Sequence, residues 1–561
     1  MTTLSSIRRT IDLATGVGTT TYATAAELPT SGLTAGDQAF ITSTGRLYIS
    51  NSNGWYNIAL INQAPYWIEQ PDGSYTLSTT GLSTVITILA RDSDSTAPTY
   101  TATADSDFNL IATITTDSEG ADGTRFIVTP IDSENGTAIA GSGTVTFIAT
   151  DGINQASVVS TFSLTFGPDW SVAPTESKIT SSDIAANDRF GYSVSISSDG
   201  TYAIAGAYGE SNAGTNAGAA YIFTRSGSTW TEQAKLASSD LQGYDNFGWS
   251  VSISSDGTYA IVGAHLEDGG AGDPLNSAGA AYIFTRSGST WTQQARLEAS
   301  DKAGSDFFGY TVSISSDGTY AIVGAYNENI SGAAYIFTRS GSTWTQQQKI
   351  VSSDLQANDG FGLSVSINSD GTYAIVGIYN EAAYIFTRSG STWTQQAKLT
   401  ASNAAGGDQF GWSVSMSADG NYAIVGANTE DGDGNTITNA GAAYTFSRSG
   451  STWTEQALLR ASDAQSSLAF GETVSINSNG TYAIVGCNST SGAPPSAGGA
   501  AYIYSRSGST WTQERKITAS DISSGDRFGF SVSTSSDSSY VIAGAHYKNA
   551  TAGAAYIYEA G

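Results

Sequence analysis

The sequence predicts an all-β protein with an N-terminal β-hairpin module (residues 1–63), an immunoglobulin- or cadherin-like β-sandwich (64–168) and a seven-bladed β-propeller (169–561). Three observations lead to this prediction. Phe-Gly recurs seven times in the last two-thirds of the 561-residue chain. Apolar and β-branched residues occur in short runs, as is typical of strands. Turn signals such as Asp-Gly, Ser-Gly and Asn-Gly separate these runs.

The repeat has a frame of constant length and one loop of variable length. Successive Phe-Gly pairs lie 49 to 61 residues apart, and subtracting the variable loop leaves 47 residues in every case. A constant frame predicts a packed scaffold, whereas a loop of free length predicts an exposed, tolerant position. The repeats begin at Phe190, Phe247, Phe308, Phe361, Phe410, Phe470 and Phe528, and the loops are 208–217, 265–278, 326–331, 379–380, 428–440 and 488–498.

Each repeat contains four predicted strands. "YSVSIS" alternates with period two, "YAIVGA" and "AAYIF" are short apolar runs, and "WTQQAKL" is a more polar fourth strand that suits an outer edge. Units of about 40–50 residues with four strands each are typical of propeller blades. Seven units therefore predict seven blades.

The ends of the repeat region predict how the ring closes. The last unit stops at "AAYIY" and lacks a fourth strand, while an unassigned fourth strand, Glu176 to Ile179, precedes the first unit. Lys178 lies 12 residues before Phe190, as Lys235 lies 12 before Phe247, although Trp170 is 20 residues from its Phe-Gly where Trp230 is 17. Residues near 170–180 should therefore complete the last blade and leave no open edge.

These repeats resemble the FG-GAP repeat family, in the form that lacks integrin-type metal loops. The resemblance covers residues 169–561 and implies a β-propeller used for recognition. Integrin-type repeats carry an Asp-x-Asp-x-Asp-Gly calcium loop between the first two strands. This chain has Ser197-Ser198-Asp199-Gly200 there, a plain hairpin turn, so the resemblance implies no calcium at that loop.

The part before the repeat divides in two. Residues 64–168 contain about seven short strands, and "FIATDGINQASVVSTFSLTF" resembles the closing strands of bacterial and phage immunoglobulin-like domains. Asp92, Asp94 and Asp151 fit either cadherin-style calcium ligands or solvated turn carboxylates, and the incomplete ligand spacing favours the latter. In residues 1–63, "YATAAELPTSGLTAGDQAFI" and "GWYNIALIN" resemble an N-terminal module of phage tail-fibre-like structural proteins, especially of cyanophages. That resemblance implies docking on other virion proteins.

Charge and targeting signals exclude several classes of function. The net charge of −27 argues against nucleic acid and against an anionic membrane surface. No apolar stretch reaches the length of a membrane span, and residues 1–18 hold no signal-peptide run. A surface-type β protein without a secretion signal fits the exterior of a phage particle released by lysis.

The residues offer little for catalysis. The chain has two histidines and one cysteine, so neither a Ser/His/Asp set nor a Cys/His metal site is expected, and no carboxylate pair stands out. We therefore predict a protein that is not an enzyme and has no cofactor. The repeat tryptophans fit a sugar-stacking array or packing between blades, and their constant position favours packing. They are Trp170, Trp230, Trp291, Trp344, Trp393, Trp453 and Trp511.

Pairs of aspartates five residues apart precede most Phe-Gly motifs. Capping of turn amides is the favoured interpretation, and divalent-cation binding at blade junctions is the alternative. Asn403 replaces the first member in the fifth unit, and Asp463 lacks its partner in the sixth. The candidates are Asp183, Asp188, Asp240, Asp245, Asp301, Asp306, Asp354, Asp359, Asp521 and Asp526.

Blade geometry places the variable loops and the aspartate loops on one face. Tyrosines and carboxylates there suit polar recognition of a carbohydrate or protein. The predicted ligand face comprises Tyr208, Glu210, His265, Glu267, Asp268, Tyr326, Glu328, Tyr379, Glu430, Asp431, Asp433, His546, Tyr547 and Lys548.

The leading hypothesis is a phage virion structural protein, a tail fibre or similar appendage, present in several copies or as a homo-oligomer. Its propeller would bind a host-surface glycan or protein through multivalent weak contacts, or decorate the particle. Since the propeller face is acidic and bacterial surfaces are typically anionic, such binding should need divalent cations to bridge the two. The alternatives are a bacterial adhesion or matrix protein and a glycan depolymerase.

Overall fold

The computed structural model describes most of the chain, in two compact units, Met1–Phe166 and Gly167–Gly561. No helix in this part of the chain is both long and apolar enough to cross a membrane. Helical turns are short: Ala25–Glu27, Phe108–Ile111, Glu328–Ile330 and Lys548–Thr551. The described residues are 20–41, 46–51, 53–58, 64–77, 84–91, 98–106, 108–117, 124–130, 141–151, 153–164, 168–268, 275–379, 382–403, 405–432, 437–488 and 498–561.

The first unit begins with a small four-stranded sheet. Its strands are β1 (Thr20–Tyr22), β2 (Gln38–Ile41), β3 (Arg46–Ser50) and β4 (Trp55–Ile58), in that order. The pair β1/β2 is parallel and the other two pairs are antiparallel hairpins. The predicted hairpins of this segment are therefore present.

Two further four-stranded sheets follow and share one core. Phe126 of one sheet packs edge-on against Phe147 of the other, with ring centroids 5.3 Å apart. One sheet has the order β5-β7-β10-β9 and the other β6-β12-β11-β8. The strands are β5 (Tyr66–Glu69), β6 (Ser74–Thr76), β7 (Thr84–Arg91), β8 (Thr99–Ala104), β9 (Ala112–Asp117), β10 (Thr124–Pro130), β11 (Gly141–Thr150) and β12 (Gln155–Leu164).

Asp151, one of the calcium candidates, lies in the turn between β11 and β12. Its carboxylate accepts hydrogen bonds from the backbone N–H groups of Ile153 and Asn154, both at 2.7 Å. This is the turn-capping role that the sequence favoured. Asp92 and Asp94 lie outside the described residues.

The second unit consists of seven four-stranded antiparallel sheets, one for each Phe-Gly repeat. In the first six the strands follow chain order from the innermost to the outermost. They are β14 (Val194–Ile196), β15 (Tyr202–Ala207), β16 (Ala219–Ser226), β17 (Thr229–Leu236); β18 (Ser250–Ile253), β19 (Tyr259–Ala264), β20 (Ala280–Ser287), β21 (Thr290–Leu297); β22 (Thr311–Ile314), β23 (Tyr320–Ala325), β24 (Ala333–Ser340), β25 (Thr343–Ile350); β26 (Ser364–Ile367), β27 (Tyr373–Gly377), β28 (Ala383–Ser389), β29 (Thr392–Leu399); β30 (Phe410–Met416), β31 (Tyr422–Ala427), β32 (Ala442–Ser449), β33 (Thr452–Leu459); and β34 (Phe470–Ile476), β35 (Tyr482–Cys487), β36 (Ala500–Ser507), β37 (Thr510–Ile517).

The seventh sheet joins the two ends of the repeat region. Its strands are β38 (Val532–Thr534), β39 (Tyr540–Gly544), β40 (Ala555–Glu559) and, outermost, β13 (Thr175–Ile179). β13 pairs antiparallel with β40, and Lys178 lies opposite Tyr556. The predicted closing strand is therefore confirmed.

Serines of the innermost strands bind consecutive blades together. The backbone N–H of Val251 donates to Ser193 Oγ at 3.0 Å, and that of Val194 donates to Ser531 Oγ at 2.9 Å, which joins the first blade to the seventh. The Ser-x-Ser pattern thus supplies acceptors to the neighbouring blade, and the seven sheets form a ring.

The hairpin turns between the first two strands of each blade meet around the axis at one end of this ring. Ser198 N–H donates to the carbonyl of Ser255 at 3.0 Å, and Ser536 N–H donates to that of Ser198 at 2.9 Å, with similar bonds between other neighbours. These turns and the strand ends line a cavity of about 130 Å³. We call this end the hairpin mouth.

The Phe-Gly motif fastens each blade to the one before it. Phe247 is fully buried against Tyr282 and Phe284 of its own blade, while its N–H donates to Ala217 of the preceding blade at 3.0 Å. Gly248 has a φ of +91°, and a Cβ there would lie 2.2 Å from the carbonyl oxygen of Ala219. Only glycine permits this approach without strain.

The outer strands add two further contacts between blades. The indole N–H of Trp291 donates to Gln233 of the preceding blade at 2.9 Å, and Trp344, Trp393 and Trp453 make the same bond to their neighbours. The guanidinium of Arg286 stacks 4.3 Å from the ring centroid of Tyr202 in the preceding blade. These contacts support packing as the role of the repeat tryptophans.

Candidate functional site

The mouth opposite the hairpin mouth is lined by the residue that directly follows each Phe-Gly. We call these seven positions the mouth ring and the end they surround the FG mouth. Unlike the Phe-Gly itself, the next residue differs from blade to blade, and each member except the buried Leu363 is half-buried. The members are Tyr192, Trp249, Tyr310, Leu363, Trp412, Glu472 and Phe530.

Aromatic contacts run around this mouth from blade to blade. Tyr192 of the first blade has its ring centroid 4.4 Å from that of Trp249 in the second and 4.8 Å from that of Phe530 in the seventh. Trp249 in turn lies 5.6 Å from Tyr310 of the third blade. Four successive blades, counted from the seventh, therefore present one continuous aromatic surface.

The first residue of each variable loop packs behind the mouth ring. Trp249 lies 4.2 Å from His265 between ring centroids, Tyr310 lies 4.4 Å from Tyr326, and Phe530 lies 4.2 Å from His546. Both histidines are buried, and burial lowers the pKa of each to about 3, so they are neutral at pH 7. Their imidazoles act here as parts of the aromatic surface.

Glu472 is the single charged member of the mouth ring. Asn428 Nδ2 donates to its Oε2 at 2.8 Å, and the indole of Trp412 also donates to its carboxylate. Burial raises the pKa of Glu472, while the bonds from Asn428 and Trp412 and the charge of Arg527 oppose that rise. Among the described residues no lysine or arginine forms an ion pair with this carboxylate.

The structure corrects part of the predicted ligand face, because seven of its members are buried. Glu210, Glu267, Glu328 and Glu430 are at most 5 % exposed and form ion pairs with cations on or just after the fourth strand of their blade. For example, Glu267 contacts Arg296 at 2.5 Å. Lys548 contacts Asp526 at 2.8 Å, and His265 and His546 are buried as described above. These side chains hold the loops to the scaffold.

The other predicted face residues are at least partly accessible. Tyr208, Tyr326 and Tyr379 are half-buried beside the mouth ring. Asp268 is exposed and Asp431 half-buried, and each accepts a backbone N–H bond within its own loop. Asp433 lies outside the described residues.

Tyr547 occupies a cationic corner of this face. Its ring lies between Arg189 and Arg527, whose guanidinium carbons are 4.1 and 4.3 Å from the ring centroid. The hydrogen bond from Arg189 and the charges of both arginines lower the pKa of the Tyr547 hydroxyl. The seam between the first and last blades therefore carries positive charge on a face that is otherwise aromatic and acidic.

The aspartate pairs have scaffold partners. The second member caps the turn: Asp188 accepts the N–H of Ala185 at 2.6 Å, and Asp245, Asp306, Asp359, Asp408 and Asp526 act likewise. The first member binds the cation of the fourth strand: Asp183 contacts Lys235 at 2.7 Å, and Asp240, Asp301, Asp354, Asp463 and Asp521 have equivalent partners. The described residues contain no group of three or more His, Cys, Asp or Glu side chains fit for a metal.

The mouth ring is the part of the site that the sequence analysis missed. A signal for it was present, because the position directly after the invariant Phe-Gly reads Tyr, Trp, Tyr, Leu, Trp, Glu and Phe through the seven repeats. The variable loops differ in length and are therefore conspicuous in the sequence, whereas this position differs only in residue type.

Several solved structures are similar to this chain at low identity. One is the β-propeller domain of Cps50 (Swd1) from Myceliophteria thermophila, with 10% identity and a TM-score of 0.46 over 69% of this chain and 100% of that one. A second is the WD40 repeats of RRP9, with 9% identity and a TM-score of 0.43 over 70% of this chain and 98% of that one. A third is an oligogalacturonate lyase from Vibrio parahaemolyticus, with 11% identity and a TM-score of 0.39 over 69% of this chain and 97% of that one. No curated protein matches the chain.

The model of the FG-GAP repeat matches this chain seven times. The matches together cover more than half of the chain, and each runs from the outermost strand of one blade to the third strand of the next blade. They span 174–223, 230–284, 291–337, 344–392, 393–446, 453–504 and 511–558. The chain therefore belongs to the FG-GAP repeat family.

Proposed function

We propose that this chain is a recognition protein that binds its target at the FG mouth without catalysis. One observation carries the proposal: the residue that directly follows each Phe-Gly lines this mouth and differs in type among the blades, whereas the Phe-Gly beside it is the same in all seven. A scaffold position gains nothing from such variety, whereas a binding surface for one asymmetric ligand requires it. The variable loops emerge beside the same mouth and extend the surface.

The protein as a whole fits a phage virion structural protein, a tail fibre or similar appendage. Support for this setting comes from the resemblance of residues 1–63 to the N-terminal module of such proteins. In this proposal the first sheet belongs to a segment that docks on other virion proteins. The two packed sheets form an immunoglobulin- or cadherin-like spacer, and the propeller contacts the host surface. Several copies on one particle would raise the avidity of a weak individual contact.

Two experiments test the proposal. Mass spectrometry of purified intact particles should find the chain, and the recombinant full-length protein should bind host cells and compete with particles for adsorption. Absence from the particles would contradict the virion setting. Release of reducing sugars from host polysaccharide would indicate a depolymerase, and exposure on uninfected cells would indicate a bacterial adhesin.

The requirement for divalent salt remains a prediction of the proposed host binding. It rests on the net charge of −27, because an acidic protein and an anionic cell surface repel each other. Adsorption measured with and without magnesium or calcium should differ. Equal adsorption would contradict this part of the proposal.

A further inference from the structure

The aromatic surface of the FG mouth and the carboxylate of Glu472 occupy the same opening. Tyr192, Trp249, Tyr310, Trp412 and Phe530 are all half-buried, so each ring keeps an accessible part at the mouth. Glu472 is also half-buried and belongs to the same ring of positions. Its charge contributes to raising the pKa of both Tyr192 and Tyr310, which belong to the first and third blades, so its field extends across the axis.

The carboxylate is incompletely neutralised where it stands. Its hydrogen-bond donors are neutral groups, the amide of Asn428 and the indole of Trp412. Arg527 acts on it without forming an ion pair and is itself stacked on Tyr547. A largely buried carboxylate whose direct partners are the neutral groups of Asn428 and Trp412 keeps a desolvation cost, and a ligand that brings a positive charge offsets that cost.

Polar atoms behind the rings are also left without partners. Oδ1 of Asn428, the residue that donates to Glu472, is buried and has no hydrogen-bond partner among the described residues. The same holds for Nδ1 of His265 and of His546. Because these atoms are buried, they make the lining behind the rings polar, and direct contact with a ligand is left to the rings and to Glu472.

We propose that the FG mouth binds an organic ammonium group, quaternary or methylated, with its charge on Glu472 and its methyl groups against the surrounding aromatic rings. Aromatic faces attract such cations because the ring quadrupole is negative at the face. A neutral sugar would stack on the same rings but would leave the carboxylate uncompensated. This inference rests on the proposed recognition role of the FG mouth and names the chemical class of its ligand.

The test uses the full-length protein and choline as the probe. Its neutral isostere 3,3-dimethyl-1-butanol has the same shape without the charge, so the pair isolates the cation. Calorimetric titration, together with the fluorescence of the mouth tryptophans, should show choline binding at least about 10-fold more tightly than the isostere. Equal binding of the two compounds, or no binding of choline, would overturn the proposal. Binding of methyl glycosides in place of choline would identify a sugar site.

Three variants locate the site. Glu472→Gln keeps the side-chain shape and removes the charge, and it should weaken choline binding at least about 10-fold. Trp412→Leu should weaken it by a similar factor. The matched control is Trp344→Leu, a repeat tryptophan of an outer strand, which should leave choline affinity unchanged. A thermal melt of each variant confirms that it is folded, and equal affinity of wild type and Glu472→Gln would overturn the assignment.

The outcome is separable from that of the recognition role itself. Binding of the protein to host cells without choline binding would remove the ammonium assignment and leave recognition standing. Choline binding without attachment to cells would do the reverse. Inhibition of cell attachment by choline in wild type, and its loss in Glu472→Gln, would support both.

Discussion

The two mouths of the propeller channel are built from the two ends of the same seven innermost strands, yet they differ in kind. At the hairpin mouth the blades present nearly the same residue, as Ser198, Ser255, Ser316 and Ser369 do, and these residues bind one another. At the FG mouth the equivalent positions carry five residue types. In this repeat protein, residues that are the same in successive blades join the blades to one another, and residues that differ line the mouth at which we propose ligand binding.

The same contrast exists between two neighbouring residues. The glycine of the Phe-Gly motif, Gly248 in the second blade, is repeated in every blade and contacts the preceding blade, whereas the next position, Trp249 in this blade, changes in type around the ring and faces the mouth. Changes at repeated positions should therefore reduce stability, and changes at differing positions should alter binding. The following predictions test that separation, beginning with the largest effect.

Trp170→Ala should destabilise the packing of the last blade against the sixth most strongly. Trp170 is 1 % exposed in the core of the last blade, and its indole N–H donates to the carbonyl of Ser538 at 3.2 Å. We expect a loss of about 3–5 kcal/mol in the free energy of unfolding, because a large buried ring leaves a cavity. Thermal denaturation measures it. Trp230 is half-buried, so Trp230→Ala is the control and should lower the free energy of unfolding by less. Equal losses would contradict the special role of Trp170 in the last blade.

Gly248→Ala should destabilise the junction between the first two blades. The left-handed backbone costs about 1–3 kcal/mol for a residue with a side chain, and overlap with Ala219 adds to that cost. We expect a loss of about 2–4 kcal/mol in chemical denaturation. Gly227→Ala is the matched control, since its φ is +59° but nothing lies within 4 Å of the new Cβ. A cost at Gly248 no greater than at Gly227 would show that contact between the blades is unimportant there.

Glu472→Gln should stabilise the protein at neutral pH while it weakens binding. The pKa of Glu472 in the folded protein is raised above its ordinary value of 4.5, so the folded state favours the protonated form. The wild type therefore loses stability as pH rises through the raised pKa, and the variant does not. The melting temperatures of the two proteins, measured between pH 4 and 8, should diverge as the pH rises, with the variant melting higher. Parallel curves would contradict the burial of this charge.

Asp521→Asn should have the smallest effect. Burial raises the pKa of Asp521, but the bonds from Lys178 and Tyr556 outweigh burial and lower the pKa to about 2. The Asp521 side chain is 44 % exposed, so the pair contributes less than about 1 kcal/mol. Because the folded pKa is depressed, this stability is present above pH 4 and is lost as pH falls towards 2. Melts of both proteins at pH 7 and pH 2.5 measure the difference, which should shrink at the lower pH.

Much of the propeller could be predicted because the same strand and turn pattern occurs seven times in the sequence. Seven copies define the strands of the repeat. The segment around Lys178 is similar to the fourth strand around Lys235, and the last blade is the one that lacks a fourth strand, so the sequence predicts their pairing. The capping role of Asp188 also follows from local spacing. These features depend on nearby residues or on the number of copies, both of which a sequence displays.

The burial of the loop glutamates could not be predicted in the same way. Glu267 reads as a soluble loop tip, but its partner Arg296 belongs to the fourth strand, 29 residues further on, and only the folded blade brings the two together. Similarly, Glu472 and Tyr192 are 280 residues apart in sequence, and only the folded ring brings the Glu472 charge close enough to raise the pKa of Tyr192. Long-range charge pairing and the composition of a mouth are tertiary properties.

The pairing of β13 with β40 has a consequence for how the protein is made. Residues 175–179 form the outer strand of the seventh blade, and they have no strand to pair with until residues 555–559 have been synthesised. Domains commonly fold during synthesis from the N-terminal side, but contacts of such long sequence separation form slowly. Until then the first and sixth blades each expose a face to the cell. We therefore expect the propeller to be open to aggregation and to chaperone binding until β40 has been synthesised and pairs with β13.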